Sequence, residues 1–276
     1  LIKKILLGML LSGCLSFPDH NSHNPLPNEG AETTLSLLTF NILSSFDLGN
    51  FFAGYPPWIE RKPEVLRTLV ASDADLMSIQ ECSPGQLREM QSALSDTYTI
   101  LSNVNLTPDA ILLFKRDRFS LLEQGHWALE NPYTGNRRIA IWAKLEENTS
   151  GRKFMMVSSH LDGKSLKNKE ARLLKEKLQP EQAYGAPLFL MGDFNIAPDE
   201  DAYATLIADD WKDSFPTGIP DMPTFPRKHL DRRIDHVFHF GNQVEVLKWE
   251  LVGRQASLIS DHMPVRVHVR ILGSTP

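Results

Sequence analysis

From Leu35 to Ile271, short apolar runs alternate with stretches in which apolar residues recur every three or four positions. The first kind of pattern reads as buried strand and the second as amphipathic helix. Leu35–Ile42, Leu76–Ile79, Ala110–Phe114, Ile139–Leu145, Phe154–Ser159, Pro187–Met191, Ile234–Phe238 and Val265–Val269 are the strands expected. Pro57 opens a helical pattern in which Val65, Leu66, Leu69 and Val70 share one face. Lys164–Leu178 is expected as a second helix, its charges turned to solvent. Strands alternating with helices predict an α/β protein, and no break in this stretch marks a second domain.

The pattern differs ahead of Leu35. Lys3 and Lys4 are followed by a run of about seven apolar residues, too short to span roughly 30 Å of hydrocarbon as a helix. That layout is a secretory signal. Leu11-Ser12-Gly13-Cys14 closes it and resembles the lipobox of bacterial lipoproteins, which implies cleavage before Cys14 and its acylation. Residues 1–13 are then the signal peptide. Residues 14–33, rich in Pro, Asn, His and Gly without periodicity, form a lipidated cysteine and flexible tether. Residues 34–273 are the folded body. Leu15 stands where an aspartate would favour inner-membrane retention, so the expected address is a lipid anchor in the cell envelope, at the outer membrane of a Gram-negative cell.

Composition changes this picture little. The 276 residues carry a formal net charge of −5, so no global positive field draws the chain to nucleic acid. Only two cysteines occur, which excludes a disulfide framework and leaves Cys82 as a small buried residue.

Chemistry-bearing side chains gather beside the apolar strands. Asn41, Glu81, His160, Asp193, Asn195 and Asp235 are expected just past strand C-terminal ends, where rigid elements present groups to an open cleft. The clusters are Gln80-Glu81, Ser159-His160-Leu161-Asp162, Gly192-Asp193-Phe194-Asn195, Arg233-Ile234-Asp235-His236 and Ser260-Asp261-His262. Each alone has an ordinary structural explanation. In this order, and with Thr39-Phe40-Asn41-Ile42 ahead of them, they resemble the endonuclease/exonuclease/phosphatase superfamily from about Leu35 to Val269. Weaker matches are Trp58 and Arg61, His126 to Glu130, Arg137-Arg138 before Trp142, and Thr224-Phe225.

The resemblance implies a four-layer α-β-β-α sandwich of two mixed sheets, with the site at one end. It implies a Mg²⁺ ion (or Mn²⁺) held chiefly by Glu81, with Asn41 and Asp261 close by or bound through water. By the same carry-over, Asp235 and His262 form a hydrogen-bonded pair. Asp193 orients or deprotonates the attacking water, Asn195 holds the phosphate and His160 donates to a non-bridging oxygen. Arg137 or Arg138 adds a second positive contact. Whether Asp193 or His262 takes the proton stays open. Many relatives have a Glu just before the strand matching Ala110–Phe114, steadying the first histidine; here Thr107, Pro108 and Asp109 stand there, so either Asp109 does this or something else does.

The expected function is Mg-dependent hydrolysis of a phosphodiester, with a nucleic acid, a lipid headgroup or a small diester as substrate and no protein partner. A phosphomonoesterase of the same fold and a non-catalytic surface-binding lipoprotein are the alternatives. His160-Leu161-Asp162 lacks the paired histidines of a two-zinc lactamase-like site, and no serine sits on the Gly-flanked elbow of a serine hydrolase. Arg227, Lys228, Arg232 and Arg233 are the basic residues expected nearest the site. The basic series from Lys153 to Lys177 reads as a solvated face, because Glu170 and Glu176 interrupt it. Phe46, Phe51, Phe52, Tyr55 and Trp58 are the aromatics that a lipid substrate would call for.

Overall fold

The computed structural model describes residues 30–45, 54–103, 109–130, 137–163, 166–183, 185–226, 231–253 and 259–273, with the side chains of Glu130 and Arg137 excepted. Cys14 with its leader, Phe46, Phe51, Phe52, Thr107, Pro108, Arg227 and Lys228 lie outside the described residues.

The elements run in order β1 (Thr33–Asn41), α1 (Trp58–Ser72), β2 (Leu76–Gln80), α2 (Pro84–Leu94), β3 (Tyr98–Leu101), β4 (Ala110–Lys115), β5 (Phe119–Glu130) and β6 (Arg137–Glu147). They continue with β7 (Lys153–His160), α3 (Lys167–Gln182), β8 (Leu188–Asp193), α4 (Asp201–Leu206), β9 (Lys212–Asp213), β10 (Asp235–Phe240), β11 (Val244–Leu251) and β12 (Val265–Ile271). Two six-stranded sheets result, ordered β11-β12-β1-β2-β4-β3 and β5-β6-β7-β8-β10-β9. Each is mixed, with one parallel pair among antiparallel neighbours: β1 with β2, and β7 with β8.

Successive side chains of a strand point to opposite faces, and here both faces are covered. Leu37, Leu76, Leu112 and Phe114 of one sheet meet Phe154, Met156, Phe189 and Met191 of the other in a central apolar layer. The alternate residues Leu38, Met77, Ile79 and Leu113 pack under Val65 and Leu69 of α1 and Leu87 and Met90 of α2. On the far side, Met155, Val157, Leu188 and Leu190 pack under Ala171, Leu174 and Leu178 of α3 and Ala202 of α4. The expected α-β-β-α sandwich is what forms. Double-sided burial explains why these strands read as unbroken apolar runs.

Some local expectations are corrected. Val70 is 59 % exposed; Val65 and Leu69 carry the buried face of α1. The helix expected over Lys164–Leu178 is α3, shifted towards its C-terminal side, and two of its carboxylates, Glu170 and Glu181, are buried rather than solvated. Thr33, expected at the end of the tether, is already hydrogen-bonded sheet, opposite Ile271. Cys82 is buried as expected, which pushes its thiol pKa up. Among the described residues no helix is long and apolar enough to cross a membrane.

Topology brings the two sheets' chemistry to one rim. Asn41, His160 and Asp193 end β1, β7 and β8, and Glu81 follows β2. Asp235 differs from expectation: it begins β10 instead of following a strand end. Because β10 is antiparallel to β8, pairing Asp235 with Asp193, it still reaches the same rim. Antiparallel pairing of β12 with β1, Val265 opposite Thr39, carries the preceding Asp261 and His262 there too. Asp109 arrives the same way, because Ala110 of β4 pairs with Gln80.

Candidate active site

Asp193 lies at the centre. Its Oδ2 accepts from Asn41 Nδ2 at 3.0 Å and lies 3.5 Å from His160 Nε2 and 3.6 Å from His262 Nε2. Each imidazole is backed by a second carboxylate: His262 Nδ1 is 2.8 Å from Asp235 Oδ2, and His160 Nδ1 is 3.0 Å from Asp109 Oδ1. Asp109 thus takes the place of the glutamate that many relatives use. All six side chains are at least four-fifths buried.

Burial and charge set the protonation states. Burial opposes the His262 imidazolium, but Asp235 and Asp193 outweigh it and hold its pKa up at about 10. Burial likewise opposes an ionised Asp193, yet the two imidazoles, with Asn41 and the Asn195 N–H, bring its pKa below the model carboxylate value. Burial opposes an ionised Asp109 too, but His160 and Arg138 hold its carboxyl well below the usual carboxylate range. Asp235 shifts upward, because burial and the charge of Asp193 together exceed the pull of His262. At neutral pH the arrangement is an ionised Asp193 between two histidines biased towards the cation.

Backbone conformation aims these groups. Gly192 is required because a Cβ there would stand 1.9 Å from the Ser159 carbonyl oxygen, where β7 and β8 press together. Asn195 has a left-handed backbone, φ 53°. Its N–H donates to Asp193 Oδ1 at 2.9 Å, and its Nδ2 donates to the Leu161 carbonyl and lies 3.2 Å from His160 Nε2. Glu81 is also left-handed, φ 56°, and its carboxylate accepts from Asn41 Nδ2 and the Ser44 N–H.

Supporting residues lock the loops in place. The buried Arg61 guanidinium donates to the carbonyls of Ile42, Leu43, Pro56 and Ile259, tying the loop after β1 to the segment leading into Asp261. Ser260 Oγ donates to the Asn41 carbonyl and accepts from the His262 N–H. Thr224 Oγ1 accepts from the N–H groups of Ile234 and Asp235, and the Phe225 ring lies 4.8 Å from that of His262. Gln86 caps α2 with Ser83, and its side chain also bonds the Leu43 carbonyl and the Ser45 N–H. That Ser-Pro-Gly-Gln capping box was visible in the sequence; its second job, holding the loop after Asn41, was not. His236 Nε2 lies 2.8 Å from the Ile196 carbonyl while its Nδ1 faces Asp213, fixing the far side of Asn195.

A divalent cation fits this donor set. Glu81 and Asp261 both act electrostatically on the buried Arg61, and Glu81, partly open to solvent, offers hard oxygen ligands with room for water, as Mg²⁺ prefers. Asp235 Oδ1 is buried and accepts no hydrogen bond among the described residues. Asp193, Asp235 and His262 have ligand atoms within 4.8 Å of one another, a second place of suitable chemistry. Asn41 touches Glu81 through its Nδ2, which bridges Glu81 and Asp193, while its Oδ1 accepts from the Leu43 N–H and keeps a second lone pair for a cation or its water.

The expected basic residues are otherwise engaged. Arg138 pairs with Asp109 behind His160, its NH1 2.8 Å from His160 Nδ1. Arg233 is buried against Asp213 and Asp221, and Arg232 pairs with Glu200. Arg137 lies on the same rim, its side chain outside the described residues. Tyr55 is partly buried. Trp58 packs against the α1–α2 side of its sheet and donates to Glu89.

Comparison with known proteins agrees with this fold. The model of the Endonuclease/Exonuclease/phosphatase family matches residues 38–262. The chain is 28 % identical over 210 residues to Nocturnin of Drosophila melanogaster, covering 67 % of this chain and 32 % of that protein. It therefore spans about a third of the length of the curated relatives it matches. Among solved structures, an endonuclease/exonuclease/phosphatase from Bacteroides vulgatus superposes with a TM-score of 0.74 at 24 % identity, covering 86 % of this chain and 98 % of the other. A mannosyl-6-phosphatase from Bacteroides thetaiotaomicron gives 0.72 at 22 % identity, covering 85 % and 99 %.

Proposed function

The chain belongs to the Endonuclease/Exonuclease/phosphatase family, whose members hydrolyse phosphate esters, and from that premise we propose a Mg²⁺-dependent phosphodiesterase acting on a small substrate. The observation that carries this reading is Asp193 Oδ2 poised between His160 Nε2 and His262 Nε2, each imidazole with a carboxylate behind it. A phosphoryl group entering there meets an ionised carboxylate for the water and cationic donors for its equatorial oxygens. Catalysis of phosphoryl transfer is positioning plus charge stabilisation of this kind.

The proton follows from the electrostatics. Asp193, its pKa lowered, accepts the proton of water as the water oxygen bonds phosphorus and the ester P–O bond breaks; the leaving group departs with the bonding pair on its oxygen and takes a proton from solvent. His262, held as imidazolium by Asp235, donates to a non-bridging oxygen and is not the base. His160 does the same from the other side, oriented by Asp109, with Asn195 beside it. Glu81, assisted by Asp261, would hold the cation, which would supply Lewis-acid stabilisation of the developing negative charge.

A small substrate is favoured because Arg138, Arg232 and Arg233 are committed to carboxylates, whereas a long polyanion needs a track of free cations. The likeness to the mannosyl-6-phosphatase keeps a phosphomonoester as the second reading. A substrate panel decides: simple aryl mono- and diesters, an inositol phosphate, sphingomyelin, RNA and duplex DNA. Small diesters are expected to turn over fastest, with EDTA abolishing activity and Mg²⁺ or Mn²⁺ restoring it. Faster monoester cleavage selects the second reading. No cleavage of any member with metal leaves only a non-catalytic binding protein.

The membrane tether belongs to the same proposal. Cys14→Ser is expected to abolish labelling by a palmitate analogue in a bacterial host and to release the protein from the membrane fraction. Membrane retention of the unlabelled variant would remove the lipid anchor from this account.

A further inference from the structure

Behind Asn195, the first turn of α3 buries a carboxylate that hydrolysis does not use. Glu170 is 2 % exposed. Its Oε2 accepts from the Asp162 N–H at 2.7 Å, while Oε1 is buried without a hydrogen-bond partner among the described residues. Burial raises its pKa. The charge that most offsets this is Arg138, whose own Nε is buried and unpartnered among the described residues. Burying a carboxylate so incompletely satisfied is costly, and an apolar residue at this helix position would pack more cheaply.

The bond to Asp162 leads directly to a catalytic group. In the same loop, the Leu161 N–H donates to the Asp193 carbonyl, and the Leu161 carbonyl accepts from Asn195 Nδ2 at 3.0 Å. Two residues on, Gly163 lies so close that a Cβ there would stand 3.1 Å from Asn195 Oδ1. One turn before Glu170 on the same helix face, Lys167 Nζ donates to the Asn195 carbonyl at 3.1 Å. The Asn195 amide is therefore aimed by the backbone of 161–163, and the hydrogen bond that anchors that backbone to α3 ends on Glu170.

We infer that Glu170 is a positioning residue for hydrolysis: its carboxylate fixes the 161–163 loop, and the loop holds the Asn195 amide on the phosphoryl group. This rests on the phosphoesterase reading above. Glu170 touches neither substrate nor metal and acts only through the loop. A displacement of about 1 Å in such a group costs up to roughly a hundredfold in rate.

The experiment is a double-mutant cycle on the full chain with the best small ester of the panel and saturating Mg²⁺, reading kcat, KM and Tm. Asn195→Ala is expected to lower kcat at least about a hundredfold. Glu170→Ala should lower kcat about ten- to a hundredfold with KM within about twofold. Glu170→Gln, which keeps an oxygen for the Asp162 N–H, should recover most of that loss. In the Asn195→Ala background, Glu170→Ala should cost less than about twofold, since no amide is left to aim. Should Glu170→Ala not fold, Gly163→Ala is the second probe. Its methyl group would stand 3.1 Å from Asn195 Oδ1 and make the amide give way, so it should lower kcat alone and have little effect beside Asn195→Ala. Wild-type kcat in both Glu170→Ala and Gly163→Ala overturns the inference, as does a penalty repeated in full in the Asn195→Ala background. Undiminished turnover in Asn195→Ala alone sinks the site assignment itself, and the inference with it.

Discussion

Alanine at position 262 is expected to lower turnover by at least about a hundredfold, the usual cost of losing a donor aimed at transition-state charge. Asp235→Asn should cost as much. It removes the charge that keeps His262 cationic and leaves only a neutral amide 2.8 Å from Nδ1. Steady-state rates with Mg²⁺ and circular dichroism check both. Near-wild-type rates in the two variants would reject the assignment of this pair.

The same pair makes a statement about stability. The His262 pKa rises from a model value of 6.5 to about 10 in the folded protein. A folded-state pKa above the unfolded one means that the native state binds the proton more tightly. The resulting stabilisation is fully present below about pH 6.5 and is lost as pH rises towards about 10. The Tm gap between the wild type and His262→Ala should therefore narrow between those limits in metal-free buffer. A gap that widened would mean that His262 is neutral in the folded state, and would return it to the role of base.

How much of this was legible in the sequence depends on what each residue's neighbours are. Strands buried on both faces, such as Leu76–Gln80 and Leu188–Asp193, announce themselves as apolar runs. The strand Phe119–Glu130 does not. Its polar positions and Gly125 break the run, and Gly125 is there because a Cβ would lie 2.5 Å from the Trp142 ring. Edge strand Val244–Leu251 is half exposed and carries an irregular register between Val246 and Lys248, which obscures its alternation. The reacting groups were readable because they stand at strand ends in a recognisable order. Their partners were less so. Asp109 and His160 are 51 positions apart, Arg61 and Ile259 are 198 apart, and only folding brings each pair into contact.

Charge was the least legible property. Glu170 sits in a run of lysines that reads as a solvated face, yet it is turned inward beneath the 161–163 loop. Arg233 follows Arg232 in a segment that reads as a phosphate contact, yet it lies over the Phe215 ring at 4.3 Å and pairs with Asp213 and Asp221. A charged residue's periodic position says which way it points only when its partner is known. Here Asp162 lies 8 positions from Glu170, and Asp221 and Asp213 lie 12 and 20 from Arg233, each outside the spacing that a helix or strand pattern reads.

Glu81→Gln is the variant that tests the cation directly. Glutamine keeps the volume and an oxygen to accept from Asn41 Nδ2 or the Ser44 N–H, so the left-handed turn and the start of α2 should survive. What it removes is the negative charge that, with Asp261, would hold a hard cation against the nearby Arg61. Turnover is expected to fall at least about a hundredfold at limiting Mg²⁺. A ligand bound only by the native state raises Tm with concentration. Wild-type protein should therefore show a Mg²⁺-dependent rise in Tm that EDTA reverses, and Glu81→Gln should need far more Mg²⁺ for the same rise. An unchanged Mg²⁺ response in this variant, alongside loss of that response in Asp193→Asn, would move the cation to the Asp193–Asp235–His262 cluster, whose ligand atoms already lie within 4.8 Å of one another.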